Sequence, residues 1–344
     1  MQSTSPPNTA ELREALGRVL AQNDVRGLPI VAFERRPSAY RSSFPLEEIR
    51  VSLADGAALE VIFKDISRES LPETVRQAKP EFLYDPLREI ETYRQVLADR
   101  RLGTAHCYGA VVDNRAGRYW LFLEKVAGAE LYKIGEFSTW EHTARWLAVM
   151  HHDFAAQFAL TPSQPGHWLK YDPDYYRLWM RRAQEFSTCR YTAGAAGARR
   201  DIERLAARYD EVVEQLSALP TTFIHGEFYA SNVLVGRNGT DLRVCPIDWE
   251  MAALGPGLID LAAFVSGRWT DSERTALMRA YHASLTDAGG TAPPEEKFFE
   301  AVDDCRLHLA VQWLGWSGNW TPPKEHAQDW LGEALHLAEK RGKR

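Results

Sequence analysis

Between Phe223 and Leu261, two short apolar runs each empty into side chains able to move a proton or hold a cation. The first reads Phe223-Ile224-His225-Gly226-Glu227-Phe228-Tyr229-Ala230-Ser231-Asn232, and the second Val244-Cys245-Pro246-Ile247-Asp248-Trp249-Glu250, with Gly255-Pro256 and Asp260 beyond. A strand, a polar loop with a carboxylate and then an Asn, a second strand and a further Asp supply one base and two hard oxygen ligands. Those are the parts of a phosphoryl-transfer site. On this chemistry Glu227 is the candidate base, and Asn232 and Asp248 are candidate ligands for Mg²⁺ carried by a nucleotide. Together with Glu227 they form the candidate catalytic set.

The neighbouring residues read as supports. Asp260 opens the apolar helical run Leu261-Ala262-Ala263-Phe264, which suits capping or bracing of the loop. His225, between an apolar strand and Gly226, suits a hydrogen bond to the loop backbone. His225-Gly226-Glu227 also satisfies the His-x-Glu of zinc deaminases, but the Pro-Cys-x-x-Cys they require is absent, Cys245-Pro246 standing in the reverse order. His151 and His152 end the amphipathic pattern of Trp146, Leu147 and Met150. Adjacent residues on a helix point about 100° apart, so a buried structural histidine is the reading there.

The elements that must position these groups change character along the chain. Leu28–Phe33, Ile49–Leu53 and Ala57–Asp65 read as strands, the last two joined across Ala54-Asp55-Gly56 as a hairpin. Glu81–Leu102 reads as one helix, with Ile90, Tyr93 and Leu97 at helical spacing and Gly103 as its stop. Tyr119–Val126 reads as a buried strand ending at Ala127-Gly128, where a hinge between lobes is expected. From Thr139 onward helical patterns predominate, interrupted by the catalytic hairpin and a Gly/Ala-rich loop at Ala193–Ala198. No internal repeat is present.

The motif resembles the catalytic loop of the aminoglycoside phosphotransferase and choline kinase family: His-Gly-Asp, four residues, Asn, then Ile-Asp-Trp-Glu. The departure is Glu227, which stands where the family has Asp. The resemblance implies an α+β, bilobal protein-kinase-like fold, with a small antiparallel β-rich N-terminal lobe and a larger, mostly helical C-terminal lobe. The expected division is 1–126 for the nucleotide-binding lobe and 127–344 for the helical lobe with catalytic loop, metal site and substrate helices. Lys64, closing a strand, then corresponds to the lysine that orients phosphates and pairs with a helix glutamate. Glu89 is the expected partner, because it shares the inward side with Tyr93 and Val96, whereas Glu91 is turned away by about 200°. A solvated strand end is the plain alternative for Lys64. No Gly-x-Gly-x-x-Gly precedes it. The equivalent turn, Arg36–Phe44, offers the hydroxyls and amides of Ser38, Ser42 or Ser43, or is simply a solvent loop. Glu124 to Val126 are expected to present backbone groups to the nucleotide base.

The implied reaction moves the γ-phosphate of ATP or GTP, with Mg²⁺, to a hydroxyl of an aminoglycoside, amino alcohol, sugar or related metabolite. Antibiotic resistance and metabolism are both compatible with it. Glu adds one C–C bond, about 1.5 Å, to the reach of Asp; a nucleotide-binding pseudokinase is therefore the rival reading. A protein kinase is disfavoured because His-Arg-Asp and Asp-Phe-Gly are missing. Aromatic rings at Trp168, Tyr171, Tyr175, Tyr176, Trp179, Trp313, Trp316, Trp320 and Trp330 would serve a core or a sugar or cationic amine. Asp303, Asp304 and Trp316 are the candidate substrate contacts.

Length and composition bound the rest. At 344 residues the chain exceeds the roughly 250 to 300 residues over which one core grows, so two lobes are expected. A formal charge of −6 disfavours a general nucleic-acid partner and suits a cationic substrate. No run approaches the roughly 18 apolar residues of a membrane span. The start at Met1-Gln2-Ser3-Thr4-Ser5-Pro6-Pro7 lacks a signal pattern and reads as a frayed tail, so a cytoplasmic location is expected. Cys107, Cys189, Cys245 and Cys305 form no Cys-x-x-Cys pair and read as free thiols.

Overall fold

Strand alternation and one amphipathic helix build the first part of the chain. Helix α1 (Thr9–Gln22) buries Leu12, Leu16, Val19 and Leu20 along one face. Strands β1 (Ile30–Pro37), β2 (Leu46–Leu53) and β3 (Ala58–Asp65), helices α2 (Glu73–Ala78) and α3 (Pro86–Glu91), and strands β4 (Cys107–Asp113), β5 (Arg118–Glu124) and β6 (Ala129–Glu130) follow. The first five strands make an antiparallel sheet in the order β1-β2-β3-β5-β4. Successive strand residues face opposite sides. Val51, Val61, Phe63, Trp120 and Phe122 therefore pack with α1 in one core, each buried large side chain contributing about 2 kcal/mol. The alternate residues Ile62, Lys64 and Leu123 take the other face. Asp55 accepts from the Ala57 amide at 2.9 Å in the expected β2–β3 turn.

The single helix expected over Glu81–Leu102 is broken up. A short turn at Glu81–Leu83 precedes α3, which starts only at Pro86, with the Asp85 side chain accepting from the Leu87 amide at 2.9 Å. Proline fits the first helical position because it has no amide proton to satisfy there. After Glu91 the helix widens into a π-turn over Thr92–Val96, where the Leu97 amide reaches the Thr92 carbonyl at 3.0 Å.

The rest of the chain carries α4 (Phe137–Leu160), β7 (Leu169–Lys170), α5 (Pro173–Arg190), α6 (Ala195–Ala206), α7 (Tyr209–Ser217), β8 (Thr221–Ile224), β9 (Val233–Asn238) and β10 (Asp241–Pro246). It ends with β11 (Ala253–Pro256), α8 (Leu258–Phe264), α9 (Asp271–Asp287), α10 (Glu295–Leu314) and α11 (Trp330–Arg341). Alanine favours helix, so α6 begins inside the stretch read as a Gly/Ala-rich loop. Thr270 and Glu273 close a capping box on α9, reciprocally satisfying two end amides. β11 pairs antiparallel with β8 and parallel with β7.

The structure, a computed structural model, describes residues 7–22, 29–40, 42–98, 102–160, 166–190, 195–239, 241–318 and 328–344. The first residues of the expected tail, Leu28, Ala193, the Cys189 side chain and Trp320 lie outside the described residues and side chains. Two compact units emerge: Met1–Gln77 with Tyr84–Ala129 and Leu234–Glu250, and Ala78–Leu83 with Glu130–Val233 and Met251–Arg344. The expected division at Val126 is contiguous, whereas here Ala78–Leu83 groups with the second unit and the next break falls after Ala129. The segment Leu234–Glu250 returns to the first unit, where the Val235 carbonyl would lie 2.8 Å from any Cβ on Gly128. The core of the second unit gathers Tyr176 and Trp179 of α5, Val212 and Leu216 of α7, Ile259 and Ala262 of α8 and Leu307, Ala310 and Leu314 of α10. Among the described residues no helix is long and apolar enough to cross a membrane, and Cys107, Cys245 and Cys305 are free thiols.

Candidate active site

In the first unit, Lys64 near the end of β3 carries a buried ammonium between two carboxylates. Its Nζ donates to Glu89 Oε2 at 2.6 Å and to Asp248 Oδ1 at 2.5 Å. Glu89 lies on α3 one turn after the Asp85 cap, and the side chains of Lys64 and Glu89 are 3% and 2% exposed. The helix phase that selected Glu89 over Glu91 therefore describes the pair. Burial works against the Lys64 charge, but Asp248, Glu89 and Glu250 outweigh it and hold the ammonium well above the ordinary lysine value. Burial pushes the Glu89 carboxyl above its usual range against the pull of Lys64. Charges this deeply buried persist only when paired.

Asp248 follows β10 with φ at +66°, the one left-handed non-glycine among the described residues. Such backbone costs on the order of 1 to 3 kcal/mol and persists where surrounding contacts hold it. The contacts are at hand. Arg88, next to Glu89 on α3, donates to the Glu250 carbonyl at 2.8 Å, and Ser43 of the β1–β2 turn donates to the Glu250 carboxylate at 2.6 Å. Ser42, with Tyr40, lines a pocket shared with Lys64, Glu89, Glu124, Val126 and Asp248. Its lining is largely apolar, with Leu46, Ile62, Ala105, Leu123, Val126, Leu234 and Ile247. Ile62 and Leu46 line the pocket but were missed by the sequence reading; strand alternation, which sets half-buried Ile62 on the same face as Lys64, with Leu46 opposite Lys64 in register, is the signal that could have found them. Arg88, Arg243 and Glu250 had no such signal, because their partners are distant in sequence.

The second unit holds the loop after β8. The Asp260 carboxylate accepts from the His225 amide at 2.7 Å and the Gly226 amide at 2.8 Å, and His151 Nε2 lies 3.2 Å from it. Asp260 therefore braces the loop from inside α8 rather than capping that helix. His225 Nδ1 accepts from the Glu227 amide at 3.2 Å, the backbone support expected of it. Gly226 has φ at +83°, and a Cβ there would come 2.2 Å from the Met251 carbonyl oxygen. Asn232 donates its amide nitrogen to the Glu227 carbonyl at 3.0 Å, which ties the two ends of the loop and turns the amide oxygen away from that bond. His151 is buried, with Nδ1 2.8 Å from the Tyr281 hydroxyl.

The three residues selected for substrate contact do not gather. Asp303 on α10 is paired with Arg306 at 2.9 Å, Lys340 at 2.7 Å and Arg344 at 3.2 Å, and Asp304 with Arg341 at 2.5 Å and Arg344 at 3.2 Å. These carboxylates fasten α10 to the C-terminal residues and are already neutralised. Trp316 lies some twelve residues further on, about 18 Å at the helical rise, and stacks on Trp179 with ring centroids 5.9 Å apart. The adjoining Trp313 donates to the Tyr229 hydroxyl at 2.8 Å, so the aromatic series reaches the loop that carries Glu227.

The donor chemistry fits Mg²⁺. One carboxylate and one neutral amide oxygen suit a cation whose remaining ligands are phosphate and water. Among the described residues no three His, Cys, Asp or Glu side chains gather as a protein-only cage.

The chain belongs to the phosphotransferase enzyme family, APH, whose model matches residues 49–299. It has the α+β kinase-like fold. Three solved structures show the likeness. A microcompartment-associated aminopropanol kinase is 14% identical, covering 95% of this chain and 94% of its own, with a TM-score of 0.56. The ethanolamine kinase of Plasmodium vivax is 13% identical over 99% and 93%, at 0.58. The GDP complex of aminoglycoside 2'-phosphotransferase-IIIa is 14% identical over 95% and 97%, at 0.55. No curated protein matches the chain by sequence.

Proposed function

We propose that this phosphotransferase moves the γ-phosphate of ATP or GTP to a hydroxyl of a small molecule such as an amino alcohol, an aminoglycoside or a sugar. The observation that carries the reading is the buried Lys64 ammonium between Glu89 and Asp248, in a pocket of largely apolar lining. Lys64 binds the donor's phosphates, with Glu89 holding it in place. Ser42 and Ser43 contribute the turn beside them, and Glu124 to Val126 meet the base. Asp248 and Asn232 would hold Mg²⁺, which would supply neutralisation of charge on the phosphates. Glu227 accepts the proton of the acceptor hydroxyl while that oxygen bonds to the γ-phosphorus and the bond to the β-phosphate oxygen breaks. The products are a phosphate monoester, ADP or GDP, and a proton released from Glu227.

A second reading is favoured by the one departure from the family pattern. The extra methylene of Glu227 suits a protein that binds nucleotide without transferring phosphate, since misplacing a base by about 1 Å can cost roughly 10²-fold. Phosphate-monoester formation read by phosphorus NMR over a panel of amino alcohols, aminoglycosides and sugars separates the two. We expect a monoester with at least one acceptor, and Glu227→Gln to lose about 10²- to 10⁴-fold in kcat, the usual contribution of a general base, with nucleotide affinity unchanged. Equal turnover in wild type, Glu227→Asp and Glu227→Gln would remove Glu227 from the mechanism.

A further inference from the structure

Arg243 in β10 uses every nitrogen of its guanidinium within the first unit. Nη1 donates to Glu124 Oε1 at 2.6 Å and Nη2 to Glu124 Oε2 at 2.8 Å; Nε donates to the Gly103 carbonyl at 2.8 Å, and Nη2 also to the Thr104 carbonyl at 3.1 Å. Glu124 Oε2 accepts a further bond from the His106 amide at 2.9 Å, and the Glu124 amide donates to the His106 carbonyl at 2.7 Å. One planar fork thus joins the end of β5, the segment Gly103–His106 and β10, the strand that leads to Asp248. Gly103 takes the left-handed φ of +76°, and a Cβ there would make an ordinary van der Waals contact with Arg243 Cγ at 3.5 Å. Arg243 and Glu124 are 21% and 27% exposed.

The pocket explains what this clamp holds. Glu124 lines it together with Val126, and the apolar lining, which includes Ala105, Leu123, Val126 and Leu234, suits a flat heteroaromatic ring, while Lys64 and Asp248 supply charge in the same pocket. With both carboxylate oxygens engaged, the Glu124 side chain is committed to Arg243 and His106; the Glu124 amide donates to the His106 carbonyl and the Lys125 amide to the Glu60 carbonyl at 3.0 Å, so within this segment the Val126 backbone is the candidate to meet a ring edge. We propose that Arg243 is a positioning residue for the nucleotide base: it fixes that backbone segment against the apolar wall through Glu124, without touching the nucleotide. This rests on the nucleotide site proposed above. A lysine cannot replace the bidentate fork, so the effect belongs to geometry rather than to charge.

The test separates base from phosphate. Calorimetric titration with Mg–ATP, Mg–GTP and Mg–tripolyphosphate is compared for the wild type, Arg243→Met and Arg243→Lys. We expect Arg243→Met to weaken the preferred nucleotide about tenfold or more and tripolyphosphate by less than twofold, with Arg243→Lys recovering little. Retained tripolyphosphate binding shows that the variant is folded; where the wild type binds nucleotide alone, the same tenfold loss at an unchanged melting temperature is required. Glu124→Gln, which keeps the His106 bond, should shift nucleotide affinity in the same direction by a smaller factor. Unchanged nucleotide affinity in both variants, or equal losses for nucleotide and tripolyphosphate, would overturn the role of Arg243. A wild type that binds no nucleotide would overturn the nucleotide site itself, and this inference with it.

Discussion

Glu227 and Asp260 show how differently two carboxylates on neighbouring segments are used. Asp260 is fully buried and spends its oxygens on two loop amides, whereas Glu227 is only part-buried at the tip of the loop those amides shape. Hydrogen bonds to a buried charge contribute roughly 1.5 to 3 kcal/mol. Asp260→Asn replaces one acceptor by a donor facing an amide, so we expect the variant to lose about 2 kcal/mol in urea unfolding and to lower kcat more than nucleotide affinity. An unchanged kcat would show that the loop keeps its shape without the brace. Glu227, Asn232 and Asp248 could be named as candidates because the motif is local. Asp303 and Asp304 misled for the opposite reason: a carboxylate's availability depends on its partners, and theirs come from Lys340, Arg341 and Arg344, unreadable from spacing around α10.

At the scale of elements, the short α3 places Glu89, and its start depends on Asp85. Removing an N-cap costs about 1 kcal/mol, so Asp85→Ala should lower stability by that amount and weaken Mg-nucleotide binding through the Lys64–Glu89 pair; binding equal to wild type would separate the cap from the site. The strand clamp makes a pH prediction. The hydrogen bond from Arg243, with help from the His106 amide, holds the Glu124 carboxyl below its ordinary 4.5. A depressed carboxylate contributes stability that is present above the unfolded value and is lost as pH falls through the folded one. Wild-type stability should therefore decline below about pH 4.5 more steeply than that of Glu124→Gln in acid titrations of urea midpoints, and parallel curves would contradict the clamp. Strands β2 and β3 were readable from the turn at Ala54-Asp55-Gly56 between them, and β5 from its apolar run. The helix over 81–102 was not, because Pro86 and the π-turn interrupt a pattern whose apolar spacing continues through them.

For the whole molecule, the sequence pointed to two parts but not to their composition. Hydrophobic spacing is local, whereas the return of Leu234–Glu250 to the first unit is set by pairings across more than a hundred residues, among them Lys64 with Asp248 and Glu124 with Arg243. That return puts Asp248 in the same unit as Lys64, so nucleotide binding should stabilise the first unit by linkage. At a hundred times Kd the gain is about 2.7 kcal/mol, measurable as a rise in the unfolding midpoint with Mg–ATP or Mg–GTP.

The measurement closest to the central claim is calorimetric binding of ATP and GTP, with and without Mg²⁺, to the wild type and to Asp248→Asn. Binding of at least one nucleotide is expected, dependent on Mg²⁺ and lost in the variant. Absence of binding to either nucleotide under all conditions would contradict that claim.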